Sequence, residues 1–313
     1  VPGEATYTPA YLTRLDGGEL TARAQAAWSR LRDCDLCARF CHMNRLETTK
    51  GAVCRTGERA VVHGFGPHYG EEDPLRGTGG SGTIFFSGCN LRCVYCQNWE
   101  ISHKGMGRET EPAQLAAMML ELQSRGCHNI NLVSPSHVVA QIIAAVAIAA
   151  EKGLRLPLVY NTGGYDSPEA LALLEDIVDV YMPDMKYGDS GIARRYSKVR
   201  AYFDVNCAAI KEMHRQVGDL TLDHRGIARR GLLVRHLVLP DNLAGTNQVL
   251  AFLAEEVSAN TYLNLMDQYH PCYRAWDYPP LDRPITASEY QMALQSARSH
   301  GLRRLDRRER GFI

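Results

Sequence analysis

Three cysteines stand within eight positions of "FFSGCNLRCVYCQNWE": Cys89, Cys93 and Cys96, spaced C-x3-C-x2-C. Thiolates set this close suit a metal. A structural zinc site is closed and four-coordinate, and no C-x2-C or H-x3-H partner lies at a usual spacing to complete one. Three thiolates can instead hold three irons of a cubane [4Fe–4S] cluster, which leaves the fourth iron open to a substrate. A second group, Cys34, Cys37, Cys41 and Cys54, is spaced C-x2-C-x3-C-x12-C. Four thiolates on a short loop also read as a metal site. With a single C-x2-C knuckle, iron–sulfur is favoured there over zinc. Cys127, Cys207 and Cys272 stand apart and are expected to be small buried hydrophobes.

From about residue 82 the chain alternates short apolar runs with helical stretches. The runs "GTIFFSG", "NINLVS", "LPLVYNT", "DVYMPDMK", "LLVRHLVLP" and "YLNLMDQY" are nearly continuous in apolar residues, as parallel strands covered on both faces should be. Each is followed by a helical pattern, and "SPEA" supplies a serine cap, a proline at the first helical position and an early glutamate. Six such units predict an α/β fold built as a partial (β/α)6 barrel over residues 81–302, with its chemistry at the strand ends. Residues 1–80 carry one helix, "GGELTARAQAAWSRLRDC", and the four-cysteine group, and read as a small metal-binding extension. Residues 303–313 form an arginine-rich tail, expected to be a solvated end. "GTGGSG" precedes a strand rather than opening a helix, so it is expected to be a turn and not a phosphate loop.

The bulk numbers agree with a fold of this size. The 313 residues are 45% hydrophobic and 22% charged, enough for a large core. Thirty-five basic residues balance thirty-five acidic ones, so neither nucleic acid nor an anionic membrane is an expected partner. Ten cysteines without a leader pattern point to a cytoplasmic protein whose clustered thiols serve metals rather than disulfides.

The cysteine motif with Tyr95 before its last cysteine resembles that of radical S-adenosylmethionine (SAM) enzymes. "SGCNLRCVYCQN", which ends on Asn98, is most similar to the pyruvate formate-lyase activating enzyme and its uncharacterised homologues. The resemblance implies a [4Fe–4S] cluster on Cys89, Cys93 and Cys96, SAM on its open iron, and a 5′-deoxyadenosyl radical that abstracts hydrogen. It implies that Asp184 and Lys186 of "YMPDMK" approach the SAM carboxylate. Asn161 and Thr162, with Met182 and Asp184, would surround a monovalent cation beside it, although the family has an aspartate where this chain has Asn161. His236 would line the adenine. The family's Gly-Gly-Glu segment is replaced by "NLVSPSHVV", leaving Ser134, Ser136 and His137 for the SAM amino group without a fixed negative charge. An electron donor such as flavodoxin or ferredoxin is implied, and a glycyl radical enzyme is the partner if the role is activation. Direct modification of a peptide, RNA or small molecule is the rival enzyme reading, and a two-cluster electron-transfer protein the non-enzymatic one.

Two loops complete the expectation. "DQYHPCYRAWDYPP" follows the sixth strand and offers Gln268, Tyr269, His270 and Tyr273 as substrate contacts, and "HGFGPHYGEEDP" is expected as a solvated loop or as lining of the barrel mouth.

Overall fold

A computed structural model describes residues 7–306. Its elements begin with α1 (Glu19–Ser29), β1 (Ala60–His68), α2 (Asp73–Arg76), β2 (Ser81–Phe86), α3 (Trp99–Ser102), β3 (Arg108–Thr110) and α4 (Pro112–Ser124). There follow β4 (Ile130–Val133), α5 (Val139–Glu151), β5 (Leu158–Thr162), α6 (Pro168–Leu174), β6 (Val180–Pro183), α7 (Ser190–Ser197) and α8 (Tyr202–Val217). The chain then forms β7 (Thr221–Leu222), β8 (Ala228–Leu237), α9 (Thr246–Phe252), β9 (Tyr262–Met266) and α10 (Ala287–Ser299).

β2, β4, β5, β6, β8 and β9 pair in parallel, each with the next. This is the expected α/β partial barrel, and each of its six strands overlaps one of the six apolar runs, β2 and β8 starting before theirs. The helix starts are set locally. Ser167 accepts from the Ala170 N–H at the head of α6, and Thr286 and Glu289 form a capping box on α10. α5 is apolar all round because it is covered all round: ten of its thirteen residues are buried, between the sheet, α4 and α1. Leu20, Ala27 and Leu31 of the α1 region join the same core as the strands, so truncating Leu20 or Leu31 to alanine would cost about 2–5 kcal/mol. Among the described residues no helix is long and apolar enough to cross a membrane.

Several elements depart from expectation. Much of "HGFGPHYGEEDP" is neither a solvated loop nor a mouth lining. Its first half belongs to β1, antiparallel to β2. Leu75 of α2 packs with Val159, Val180 and Ala228, residues at the starts of their strands, and so closes the barrel at the end opposite the strand C-termini. Glu71 and Glu72 are thereby buried, and Asn264 donates to Glu72 at 2.7 Å. The first residues of the tail are docked rather than solvated. Leu305 bridges to Leu263, and Tyr262 donates to Asp306 at 2.8 Å; residues 307–313 lie outside the described residues. "GTGGSG" is a turn leading into β2, as expected. Cys127 is buried, whereas Cys207 and Cys272 are only half-buried.

Candidate active site

The cysteine loop runs from β2 to α3 and is held from outside. The Arg92 and Val94 N–H groups donate to the Ser197 and Tyr196 carbonyls at the end of α7, at 2.9 and 2.8 Å. Gly88 has φ 81°, and a side chain there would strike the Cys54 carbonyl at 2.5 Å. The loop brings Cys89, Cys93 and Cys96 to the wall of one cavity of about 250 Å³. Each sulfur meets a polar partner: the Leu91 N–H at Cys89, 3.3 Å; Ser197 Oγ at Cys93, 3.0 Å; Ser102 Oγ at Cys96, 3.1 Å. Burial, joined by the neighbouring Cys93, pushes the Cys89 thiol up to about 12. Burial, aided by Cys96 and Asp184, takes Cys93 to about 11 against the pull of Lys186. Thiols so placed become thiolates when a cationic metal core offsets their charge. Tyr95 lies beneath, its hydroxyl donating to Tyr187 at 2.6 Å; Tyr187 reaches Ser197 at 2.7 Å, and this hydroxyl chain ends on Cys93.

Strand ends supply the opposite wall: Ser134, Asn161, Thr162, Asp184, Lys186 and Gln268, with Asn98 from the cysteine loop. Ser134 lies just past β4 with φ 59°, a left-handed conformation uncommon for serine. Lys186 donates to Asp184 Oδ2 at 2.6 Å. Arg235 donates to Asp184 Oδ1 at 2.8 Å and to Asn161 Oδ1 at 2.6 Å. Burial opposes ionisation of Asp184, but the Arg235 guanidinium and Lys186 ammonium outweigh it and hold the carboxyl below its ordinary range. Two of the four residues expected around a monovalent cation, Asn161 and Asp184, thus face a guanidinium of the chain itself.

Sequence pattern points to His236 and not to Arg235, and the structure reverses the two. His236 is wholly buried on the face of β8 turned away from the cavity and does not line it. Its Nδ1–H donates to the Met185 carbonyl at 2.6 Å, so Nε2 accepts from Thr246 at 2.9 Å. Burial lowers its pKa to about 4, which keeps the ring neutral. Strand alternation explains the exchange, because Arg235 and Leu237 face the cavity and the residue between them cannot.

Other expected residues lie near the cavity without lining it. Ser136 pairs with Thr162 at 2.9 Å, and Met182 packs below with Val159 and Val180. Tyr269 is buried and donates to the Leu281 carbonyl. Tyr273 stacks on Trp99, centroids 5.2 Å apart, and His270 stands exposed near Gln97. Of the four loop residues, Gln268 alone lines the cavity. His103, Gln97 and Ser102 line it as well; their nearness to Cys96 in sequence was the available signal.

Cys34, Cys37 and Cys54 are buried and grouped around Arg45, and half-buried Cys41 bonds with Cys34. The Arg45 guanidinium is buried and donates to the carbonyls of Thr56 (2.7 Å), His137 (2.7 Å) and Gly57 (3.2 Å) and to Cys34 Sγ (3.5 Å). Hydrogen bonding with Cys41, then Arg45, pulls the Cys34 thiol down to about 5 against burial. No carboxylate pairs with Arg45 among the described residues, so sulfur is the counter-charge within reach. Among those residues, no three His, Cys, Asp or Glu side chains close on a point as ligands of one metal ion would. Sulfurs around one tetrahedral zinc stand ~3.8 Å apart, whereas those around a cubane are spread more widely. The donor chemistry of Cys89, Cys93 and Cys96 fits such a cluster.

Residues 83–224 match the radical SAM superfamily. The uncharacterized protein MJ0674 of Methanocaldococcus jannaschii is 31% identical over 293 residues, 90% of this chain and 79% of its own. From the same organism, the uncharacterized protein MJ0808 is 28% identical over 231 residues, 71% of this chain and 61% of its own. A radical SAM methyltransferase from Sphaerobacter thermophilus superposes with TM-score 0.49 at 14% identity, over 70% of this chain and 64% of its own. Streptococcus suis SuiB bound to precursor peptide SuiA does so with TM-score 0.46 at 10% identity, over 68% and 44%. The chain belongs to the radical SAM superfamily. Membership makes it a radical SAM enzyme and implies a [4Fe–4S] cluster, SAM and a reductant.

Proposed function

We propose that Cys89, Cys93 and Cys96 hold the cluster and that SAM binds against it in the adjoining cavity. When bound, the pair supplies one-electron reductive cleavage of SAM and hydrogen abstraction; the protein supplies orientation and electrostatics. The observation that carries this is the meeting of three sulfurs and the Lys186–Asp184–Arg235 array in a single cavity at the strand ends. Lys186 presents an ammonium to the SAM carboxylate, held in place by Asp184. Arg235 provides beside it the positive charge otherwise expected of a monovalent cation. Asn98, Ser134, Asn161 and Thr162 offer hydrogen bonds to the rest of SAM. Residues 1–80 form an extension whose four cysteines hold a second iron–sulfur centre, with Arg45 offsetting its charge, and 81–302 form the catalytic barrel.

The role proposed is that of an activating-enzyme-like oxidoreductase acting on a glycine of a partner enzyme. One observation favours a second reading, direct modification of a slender substrate. The loop after β9 is tied to the cysteine loop by the Arg274 N–H on the Val94 carbonyl at 2.9 Å and by Tyr273 on Trp99, which narrows the mouth. The test of the chemistry is anaerobic conversion of SAM to 5′-deoxyadenosine, which Cys93→Ala should abolish; undiminished conversion overturns the assignment. A glycine-centred EPR doublet on a partner supports activation. Label passing from a small molecule or peptide into 5′-deoxyadenosine, with no doublet, replaces activation by direct modification.

A further inference from the structure

The chain is neutral overall, yet one surface groove is not. Arg39, Lys50, Arg55, Arg92 and Lys198 line it with Thr49, Gly51, Ala52 and Val53, and no carboxylate shares the lining. None of the five cations makes a salt bridge among the described residues. Their hydrogen bonds go to the main chain: Arg39 to the Asn90 and Lys198 carbonyls at 2.6 and 2.8 Å, Lys198 to Arg195 at 2.7 Å, and Arg92 to Val53 and Ser102. A segregated patch of one sign on a balanced protein steers a partner of the other sign.

The position of the groove narrows the partner. Val53 and Arg55 flank Cys54, and Arg39 is two residues from Cys37, so the groove lies against the four-cysteine group. The far side of that group touches the catalytic loop. The Cys54 carbonyl abuts Gly88, the residue before Cys89, and the Arg45 guanidinium binds the carbonyl of His137, whose ring contacts the Ser87 carbonyl at 2.9 Å. The groove thus borders the four cysteines and meets the catalytic loop itself through Arg92 and the Arg39–Asn90 bond. No lining residue is aromatic, whereas single-stranded RNA is held by cations together with stacking rings.

We propose that this groove docks an acidic one-electron donor protein, and that the four-cysteine group is the port through which its electron reaches the Cys89–Cys96 loop. The donor is oxidised by one electron at each encounter. The port gains that electron and gives it up inward, so it ends each transfer as it began. This rests on the proposed iron–sulfur reading of Cys34, Cys37, Cys41 and Cys54 and on the SAM chemistry of the cavity.

The test uses the reconstituted holoenzyme, an acidic flavodoxin as probe, and a variant carrying Lys50→Glu, Arg55→Glu and Lys198→Glu, three exposed positions outside the cavity. Flavodoxin binding should weaken by about 10- to 100-fold in the variant. Wild-type binding should fall as salt rises from about 0.01 to 0.1 M, over which the screening length shrinks from ~30 to ~10 Å. SAM cleavage driven by reduced flavodoxin should drop with binding, while cleavage driven by dithionite stays at the wild-type rate. In Cys41→Ser, flavodoxin should bind as before but drive little cleavage. Wild-type flavodoxin affinity in the triple variant overturns the docking site. Full flavodoxin-driven cleavage in Cys41→Ser overturns the port. If the triple variant loses a single-stranded RNA probe but keeps flavodoxin, the groove is an RNA site and the proposal fails. If wild-type enzyme cleaves no SAM even with dithionite, the reading of the cavity fails instead, and the binding titration still decides the groove.

Discussion

Replacing Arg235 by methionine keeps the length of the side-chain stem and removes the charge. Arg235 makes two short hydrogen bonds, to Asp184 at 2.8 Å and Asn161 at 2.6 Å, and stands 3.9 Å from Glu71. Its side chain is 17% exposed and that of Asp184 12%, so solvent screens them little. Removing one member of a buried pair costs about 3–5 kcal/mol when the survivor is left alone. Asp184 is not left alone, because Lys186 stays at 2.6 Å and the cavity admits water, so about 2 kcal/mol of fold stability should be lost. SAM affinity should fall about tenfold, or ~1.4 kcal/mol, because the freed Asp184 competes with SAM for Lys186. Potassium at about 0.1 M, a concentration that screens beyond ~10 Å, should restore part of that affinity in the variant and none in wild type. The pH response has a definite sign. Asp184 is held below its ordinary range, so its contribution is present above the usual carboxylate pKa of ~3.9 and is lost only at lower pH. Without Arg235 the carboxyl rises, and acid destabilisation should begin at higher pH. Denaturant unfolding across pH and SAM titrations with and without potassium measure these effects. A variant that binds SAM as wild type does, with no potassium response, refutes the role given to Arg235.

Lys186→Ala should weaken SAM binding by about 1–3 kcal/mol while iron content stays at the wild-type level; loss of iron with normal SAM binding would reverse the roles. Ser197→Ala removes the hydroxyl 3.0 Å from Cys93 Sγ. A hydrogen bond worth about 1 kcal/mol to the reduced state should then disappear, lowering the cluster potential by ~40 mV in an EPR redox titration; an unmoved midpoint excludes that tuning. Changing Cys89, Cys93 and Cys96 together to alanine isolates the N-terminal site for metal analysis: iron with sulfide is expected, and one zinc per chain would make it a structural staple. Asp179 accepts from Tyr7 at 2.6 Å and from the Ala10 and Leu158 N–H groups at 2.7 and 2.8 Å. Asp179→Ala should therefore cost about 2–4 kcal/mol in urea unfolding, because it strands two buried donors.

Local pattern carried much of this protein. Cysteine spacing marked both thiol groups, apolar runs marked the six parallel strands, and Ser167 with Pro168 marked a helix start that the structure repeats. Asp184 and Lys186 were legible through the resemblance of "YMPDMK" to the family's segment, and both lie at a strand end that opens on the cavity. Tertiary structure decided what depends on phase and on distance along the chain. A strand covered on both faces is apolar at every position, so its sequence does not say which residues turn inward; the exchange of Arg235 for His236 is that ambiguity resolved by packing. Ser197 reaches Cys93 across 104 residues, and Glu72 meets Asn264 across 192. No window of sequence contains either pair. Tyr273 was legible as an aromatic near the mouth, but its partner Trp99 lies on a different element, and only the fold brings the two rings face to face.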